Sequence, residues 1–217
     1  MGPKAPTIDG MLLFYGVETD PNWSAENQLA VLDAVMDVGS KLAQDRNLGE
    51  SGAGAFRSVF GTDGDVMTFA WLQGNGSCWL GNIYDRGGCT KGEHYIEFAN
   101  SMSPDSQTFA NNVRNVVHEL GHAFSCRMIS TFDGDIALPI NFASDFGVHR
   151  SEILRPNVYN GGNVWQFSPR DQGGSETFAD FFVAYTYGVW NPVPDQKGYR
   201  NDAMQQMSIN MAIWIQP

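Results

Sequence analysis

The chain is poor in several things, and each shortage excludes something. No apolar run in its 217 residues approaches the roughly 18 needed to cross a bilayer. Lys and Arg total 13 against 24 Asp and Glu, a net charge of -11. A surface of that sign argues against a nucleic-acid partner and would be repelled by anionic lipid. The opening "MGPKAPTIDG" carries no apolar h-region and reads as an artificial or processed terminus, which leaves room for a trimmed export signal. There is no internal repeat and no low-complexity linker. With 42% hydrophobic residues the chain can bury a substantial core, so it is read as globular.

Cysteine is also scarce, with only Cys78, Cys89 and Cys126. The first two flank a Gly-rich loop, "CWLGNIYDRGGC". A disulfide there would imply an oxidising compartment; the alternative is two thiols in a hairpin. Asn22 and Asn75 lie in glycosylation triplets. With the low lysine content, these features lean towards a secreted, extracellular protein.

Hydrophobic spacing gives the order of elements. The apolar run 10–19 reads as a buried strand. Residues 24–45 read as a helix, with Ser24 at its N-terminal start and Leu29, Leu32, Val35, Met36 and Leu42 at helical spacing. Segments 55–60 and 65–72 read as strands, and 93–100 as another with alternating faces. A long helix follows from Ser103 as N-cap and Pro104 in the first turn. Residues 129–174 read as irregular. A helix over 175–190, capped by Ser175, and a last helix near 200–215 complete the chain. The fold class expected is α+β, with a change of character near 128–135 separating a lobe 1–130 from a lobe 131–217 within one catalytic domain.

Of the four histidines, two sit in "VVHELGHAF", residues 116–124. His118 and His122 are one helical turn apart and can point at one metal ion. Glu119 lies about 100° round the helix, able to reach a metal-bound water without displacing it. H-E-x-x-H on a helix is thus two zinc ligands and one base. Val113, Val117, Leu120 and Phe124 form an apolar stripe, so the helix packs whatever the histidines do. The plainer reading is two core histidines bonded to backbone carbonyls, but Glu119 beside them has no packing rationale.

Catalytic zinc needs a third protein ligand. A third histidine six residues beyond His122 is missing: Met128 stands there, and Ser125 stands where that pattern needs Gly. Cys126 lies eight residues from His118, about 12 Å along the axis, and is read as a packed thiol. The remaining option is "GGSETFADFF", in which Glu176 and Asp180 share a face of an otherwise aromatic helix. Two carboxylates among Phe178, Phe181 and Phe182 are costly unless paired or metal-bound. Glu176 is therefore read as the third ligand. Asp180 is read as accepting a hydrogen bond from the free ring N–H of a ligand histidine, His118 first. The competing reading makes both ordinary surface charges.

Those five residues resemble the zincin metallopeptidases, and the gluzincins in particular. In that group H-E-x-x-H is followed by a helix bearing E-x-x-x-D, whose Glu completes the zinc site and whose Asp supports a histidine. The resemblance implies a zinc-dependent endopeptidase with an upper lobe of mixed sheet, backing helix and active-site helix, and an irregular, helical lower lobe. Glu119 would be the general base, and a peptide or protein the substrate, added antiparallel to strand 93–100 as the sheet edge. An oxyanion partner is expected from the irregular segment, Tyr159 first and His149 second. "TDGD" and "FDGD" could lend oxygen ligands to calcium, but no complete loop is present and solvated turns are the simpler reading. Three other readings stay open: a zincin-like module that holds zinc and binds without cleaving, a protease or toxin aimed at one protein, and a non-catalytic structural protein with no metal.

Overall fold

The computed structural model describes residues 7–61, 65–71, 88–98, 109–131, 138–154, 174–190 and 197–216. It is a mixed helix-and-strand protein, mostly helical. Its residues fall into two compact units, Met1–Val116 and Val117–Pro217. The division falls inside one long helix, α4 (Phe109–Thr131).

The first unit opens with a correction. The run 10–19, read as a strand, is helix α1 (Ile8–Phe14) followed by the short strand β1 (Val17–Thr19). The Thr7 hydroxyl accepts from the Gly10 amide at 3.1 Å and starts the helix. Gly16, at φ 74, then turns the chain into the strand, a conformation glycine adopts without steric cost. Helix α2 (Ala25–Arg46) matches its expectation, with Ser24 Oγ accepting from Asn27 N and Asn47 ending it in the left-handed conformation. Its buried face runs through Val31, Leu32, Val35, Val38 and Leu42, whereas Leu29 points outward.

The segment 55–60, also read as a strand, belongs to α3 (Gly52–Phe60). Ser51 caps it by accepting from Gly54 N at 3.1 Å, and Phe56, Val59 and Phe60 bury at helical spacing. A Cβ on Gly39 of α2 would lie 2.5 Å from the Gly52 carbonyl, so only glycine lets α2 and α3 meet there.

Strand β2 (Met67–Trp71) pairs parallel with β1 and with β4 (Tyr95–Phe98). Strand β3 (Gly88–Thr90) pairs antiparallel with β4, giving the order β1-β2-β4-β3. This overturns the expectation that 93–100 is the sheet edge: its outer hydrogen bonds go to β3. Ile96 and Phe98 are buried as their alternation requires. Glu97 on the other face is buried too, paired with Lys91 at 2.5 Å. Trp23 and Phe69 both pack against Phe98.

The second unit is helical. The stretch read as irregular holds two helices, α5 (Pro139–Gly147) and α6 (Arg150–Ile153). Pro139 sits at the first position of α5, where its missing N–H costs nothing. Helix α7 (Gly174–Tyr187) and helix α8 (Tyr199–Trp214) follow. The aromatic side of α7 builds the core: Phe178, Phe181 and Phe182 are fully buried. Phe124 of α4 packs on Phe178 and Phe182, and Trp214 of α8 closes over Phe124, Phe142 and Phe178. Each buried phenyl ring contributes about 2–3 kcal/mol over its exposed state. No helix among the described residues is long and apolar enough to cross a membrane. Ser103, Pro104, Cys78 with its expected bridge to Cys89, Asn75 and the motifs at 62–65 and 132–135 lie wholly or partly outside the described residues.

Candidate metal centre

The expected apolar stripe of α4 is buried: Val113 is 4% exposed, and Val117, Leu120 and Phe124 are sealed completely. That packing fixes the helix's rotation and turns His118 and His122 towards α7. Two glycines set how near α7 comes. A Cβ on Gly121 would sit 2.9 Å from the Ala179 Cα and 3.0 Å from the Phe182 Cβ. A Cβ on Gly174 would sit 2.3 Å from the Ile140 carbonyl and 2.5 Å from Ser144 Oγ. Any side chain at either position would force the helices apart.

Held at that distance, α7 presents three polar side chains to the two histidines. The Glu176 carboxylate spans both rings, with Oε2 3.2 Å from His118 Nε2 and Oε1 3.3 Å from His122 Nε2. The two Nε2 atoms are themselves 3.2 Å apart. Asp180 Oδ1 lies 3.0 Å from His118 Nδ1. Ser175 Oγ lies 3.1 Å from His122 Nδ1. Glu176 and Asp180 therefore meet the histidines as the sequence suggested.

Ser175 corrects an expectation. Gly174 is already helical, so the serine is not the N-cap, and its hydroxyl turns to a histidine instead.

These contacts assign protons. A carboxylate can only accept, so Asp180 takes the Nδ1–H of His118 and leaves a lone pair on Nε2. When the hydroxyl of Ser175 accepts from His122 Nδ1, the second Nε2 is likewise a lone pair. Two imidazole lone pairs and a carboxylate then face one another, an arrangement that repels unless a cation lies among them. With no cation among them, the two Nε2 atoms can satisfy Glu176 only by carrying protons and donating them. Burial opposes ionisation of Glu176, but hydrogen bonds and attraction from His118 and His122 then outweigh it and hold the carboxyl well below its ordinary range.

The group His118, Glu119 and His122 could hold a metal ion, their ligand atoms lying within 4.8 Å of one another. His118 is 1% and Glu119 4% exposed. Glu119 thus reaches the same small volume from its own side of α4.

The two residues expected at the oxyanion fare differently. Tyr159 lies outside the described residues. His149 precedes α6, stacks on Tyr199 with ring centroids 3.4 Å apart, and sits 3.7 Å from a carboxylate oxygen of Glu152. Among the described contacts, none joins it to His118 or His122. Cys126 lies one turn beyond His122 on α4 and is half-buried.

One residue of the site gave no signal in the sequence. Arg150, the first residue of α6, is 8% exposed and its guanidinium pairs with Asp180 Oδ2. Nothing in "VHRSEI" marks that arginine as buried; only the tertiary fold brings it to α7.

No family model, curated protein or solved structure matches this chain.

Proposed function

We propose that this chain is a zinc-dependent metalloendopeptidase of gluzincin type. His118, His122 and Glu176 would hold the zinc, and Glu119 would act as general base. One observation carries the reading: the two Nε2 atoms and the Glu176 carboxylate lie 3.2–3.3 Å from one another. Tetrahedral bonds of about 2.0–2.1 Å place ligand atoms about 3.3–3.4 Å apart. Two imidazoles and one carboxylate are also the donor types of catalytic zinc sites that keep a position open for water.

Zinc held there would lower the pKa of a bound water towards neutrality and polarise a scissile carbonyl. The rest falls to the protein's own groups. Glu119 takes a proton from the attacking water and hands it to the nitrogen of the departing amine. Asp180 keeps the His118 proton on Nδ1, so its Nε2 stays available, and Ser175 does the same for His122. Glu119 fits the role of base better than that of ligand. Glu176 touches both histidines directly, and a site that only stored a metal would have no use for a second carboxylate beside it.

The test is metal analysis of protein purified without chelators, followed by peptide-library assays of wild type and Glu119→Gln. About one zinc per chain is expected in both, with activity in the variant lower by about 10²–10⁴-fold. Full turnover by Glu119→Gln removes the base assignment. Zinc without any cleavage by the wild type favours the binding-module reading instead.

A further inference from the structure

We infer that Arg150 is a positioning residue of the metal site, acting on His118 through Asp180; this rests on the metal-site reading above. Asp180 divides its two oxygens. Oδ1 takes the His118 Nδ1 proton at 3.0 Å, and Oδ2 is taken by the Arg150 guanidinium. Asp180 is 7% and Arg150 8% exposed, so water does little of the work for either charge. A buried carboxylate facing only a neutral imidazole is costly; a buried guanidinium supplies the missing countercharge and a directional hydrogen bond. With Oδ2 pinned, the carboxylate cannot rotate and Oδ1 stays on Nδ1. That in turn keeps the Nε2 lone pair of His118 aimed at Glu176 and His122.

Arg150 is itself fixed. His149, immediately before it, stacks on Tyr199 with ring planes 13° apart. At the other end of α6, Ile153 is fully buried and Leu154 forms an antiparallel bridge with Trp190. The short helix is therefore fastened at both ends, and one end of that fastening lies just beyond α7, which carries Asp180. The whole chain of contacts runs Arg150, Asp180, His118, metal site. A planar fork suits this better than a point charge, so lysine should replace it only in part.

The experiment compares wild type, Arg150→Gln, Arg150→Lys, Asp180→Asn and the double variant Arg150→Gln/Asp180→Asn. Zinc Kd is read by competition with a chromophoric chelator at constant pH, and the metal-free melting temperature is recorded beside it. Outer partners of metal ligands contribute about 10–100-fold in affinity. Arg150→Gln should weaken zinc by about 10-fold, and Arg150→Lys by about three-fold. The double variant should bind no more weakly than Asp180→Asn alone, because the arginine acts only through the aspartate. A merely structural arginine would lower the melting temperature and leave Kd unchanged.

A wild-type Kd in Arg150→Gln overturns the inference, and so do losses that multiply in the double variant. If Arg150→Gln does not fold, Arg150→Lys decides: a wild-type Kd there overturns the inference equally. Wild-type protein that takes up no zinc overturns both this inference and the proposed function. Tight zinc binding with an inert Arg150 overturns this inference alone.

Discussion

The two histidines of the centre are held in different surroundings. On one side, the side chains of His118, Asp180 and Arg150 are 2%, 7% and 9% exposed, and each leans on the next. On the other, the His122 side chain is 13% exposed and faces a neutral serine hydroxyl, while Glu176 beside it is 42% exposed. The His118 side is dry and charged; the His122 side is wetter and uncharged behind the ring. Electrostatic contacts are worth most where water is excluded, so His118 is the rigid anchor. The His122 and Glu176 side is the more exposed of the two, so under the proposed zinc site an open coordination position would face that way.

The largest effect should come from removing what the two sides share. Glu176→Ala takes away a carboxylate that touches both rings, and zinc affinity should fall by more than the roughly 100-fold that bounds an outer partner. Unchanged zinc stoichiometry in metal analysis would remove Glu176 as a ligand. Next in size is the difference between the sides themselves. Asp180→Asn leaves an oxygen that can accept from Nδ1, but it discards the charge and turns an amide towards Arg150. Zinc binding should weaken by about 10–100-fold. Ser175→Ala removes a single neutral contact at a wetter position, and should cost less than about 10-fold. Equal losses in the two variants would abolish the distinction between a dry and a wet histidine.

How far the sequence could be read follows from the kind of signal each residue gives. Helix α2 was legible because Ser24 caps it and its apolar spacing runs for several turns. The run 10–19 was misread because seven helical residues and three strand residues share one short apolar stretch, where periodicity cannot decide. The segment 55–60 reads as strand yet folds as helix because its cap, Ser51, lies four residues before the segment starts, and Phe56 and Phe60 fit either period when seen alone. His118, Glu119, His122, Glu176 and Asp180 were legible because two i, i+4 pairs carry chemistry that packing does not explain. Arg150 and the turning of Ser175 to His122 were not, since each depends on how closely α4, α6 and α7 approach. The edge position of β3 was equally hidden: three residues of strand give almost no pattern.

The smallest effect concerns Glu176 in the metal-free protein, and its sign can be worked out. Burial pushes its carboxyl up, but without a metal the two Nε2 atoms can carry protons, and the hydrogen bonds they then donate more than reverse that and hold the carboxyl below its ordinary value. A carboxyl held down in the folded state contributes stability that is fully present above the unfolded value, about 4.3. As the pH falls below that, the unfolded chain takes up a proton that the folded chain refuses, and the contribution is lost. Glu176→Gln has no such proton to take up. Between about pH 5 and pH 3.5 the melting temperature of the metal-free wild type should therefore fall more than that of Glu176→Gln. The gap should be modest, because the carboxylate is 42% exposed and solvent screens its attraction to the rings. Parallel losses in the two proteins would mean that the rings do not hold Glu176 without metal, and that the wetter side of the site is assembled by the ion.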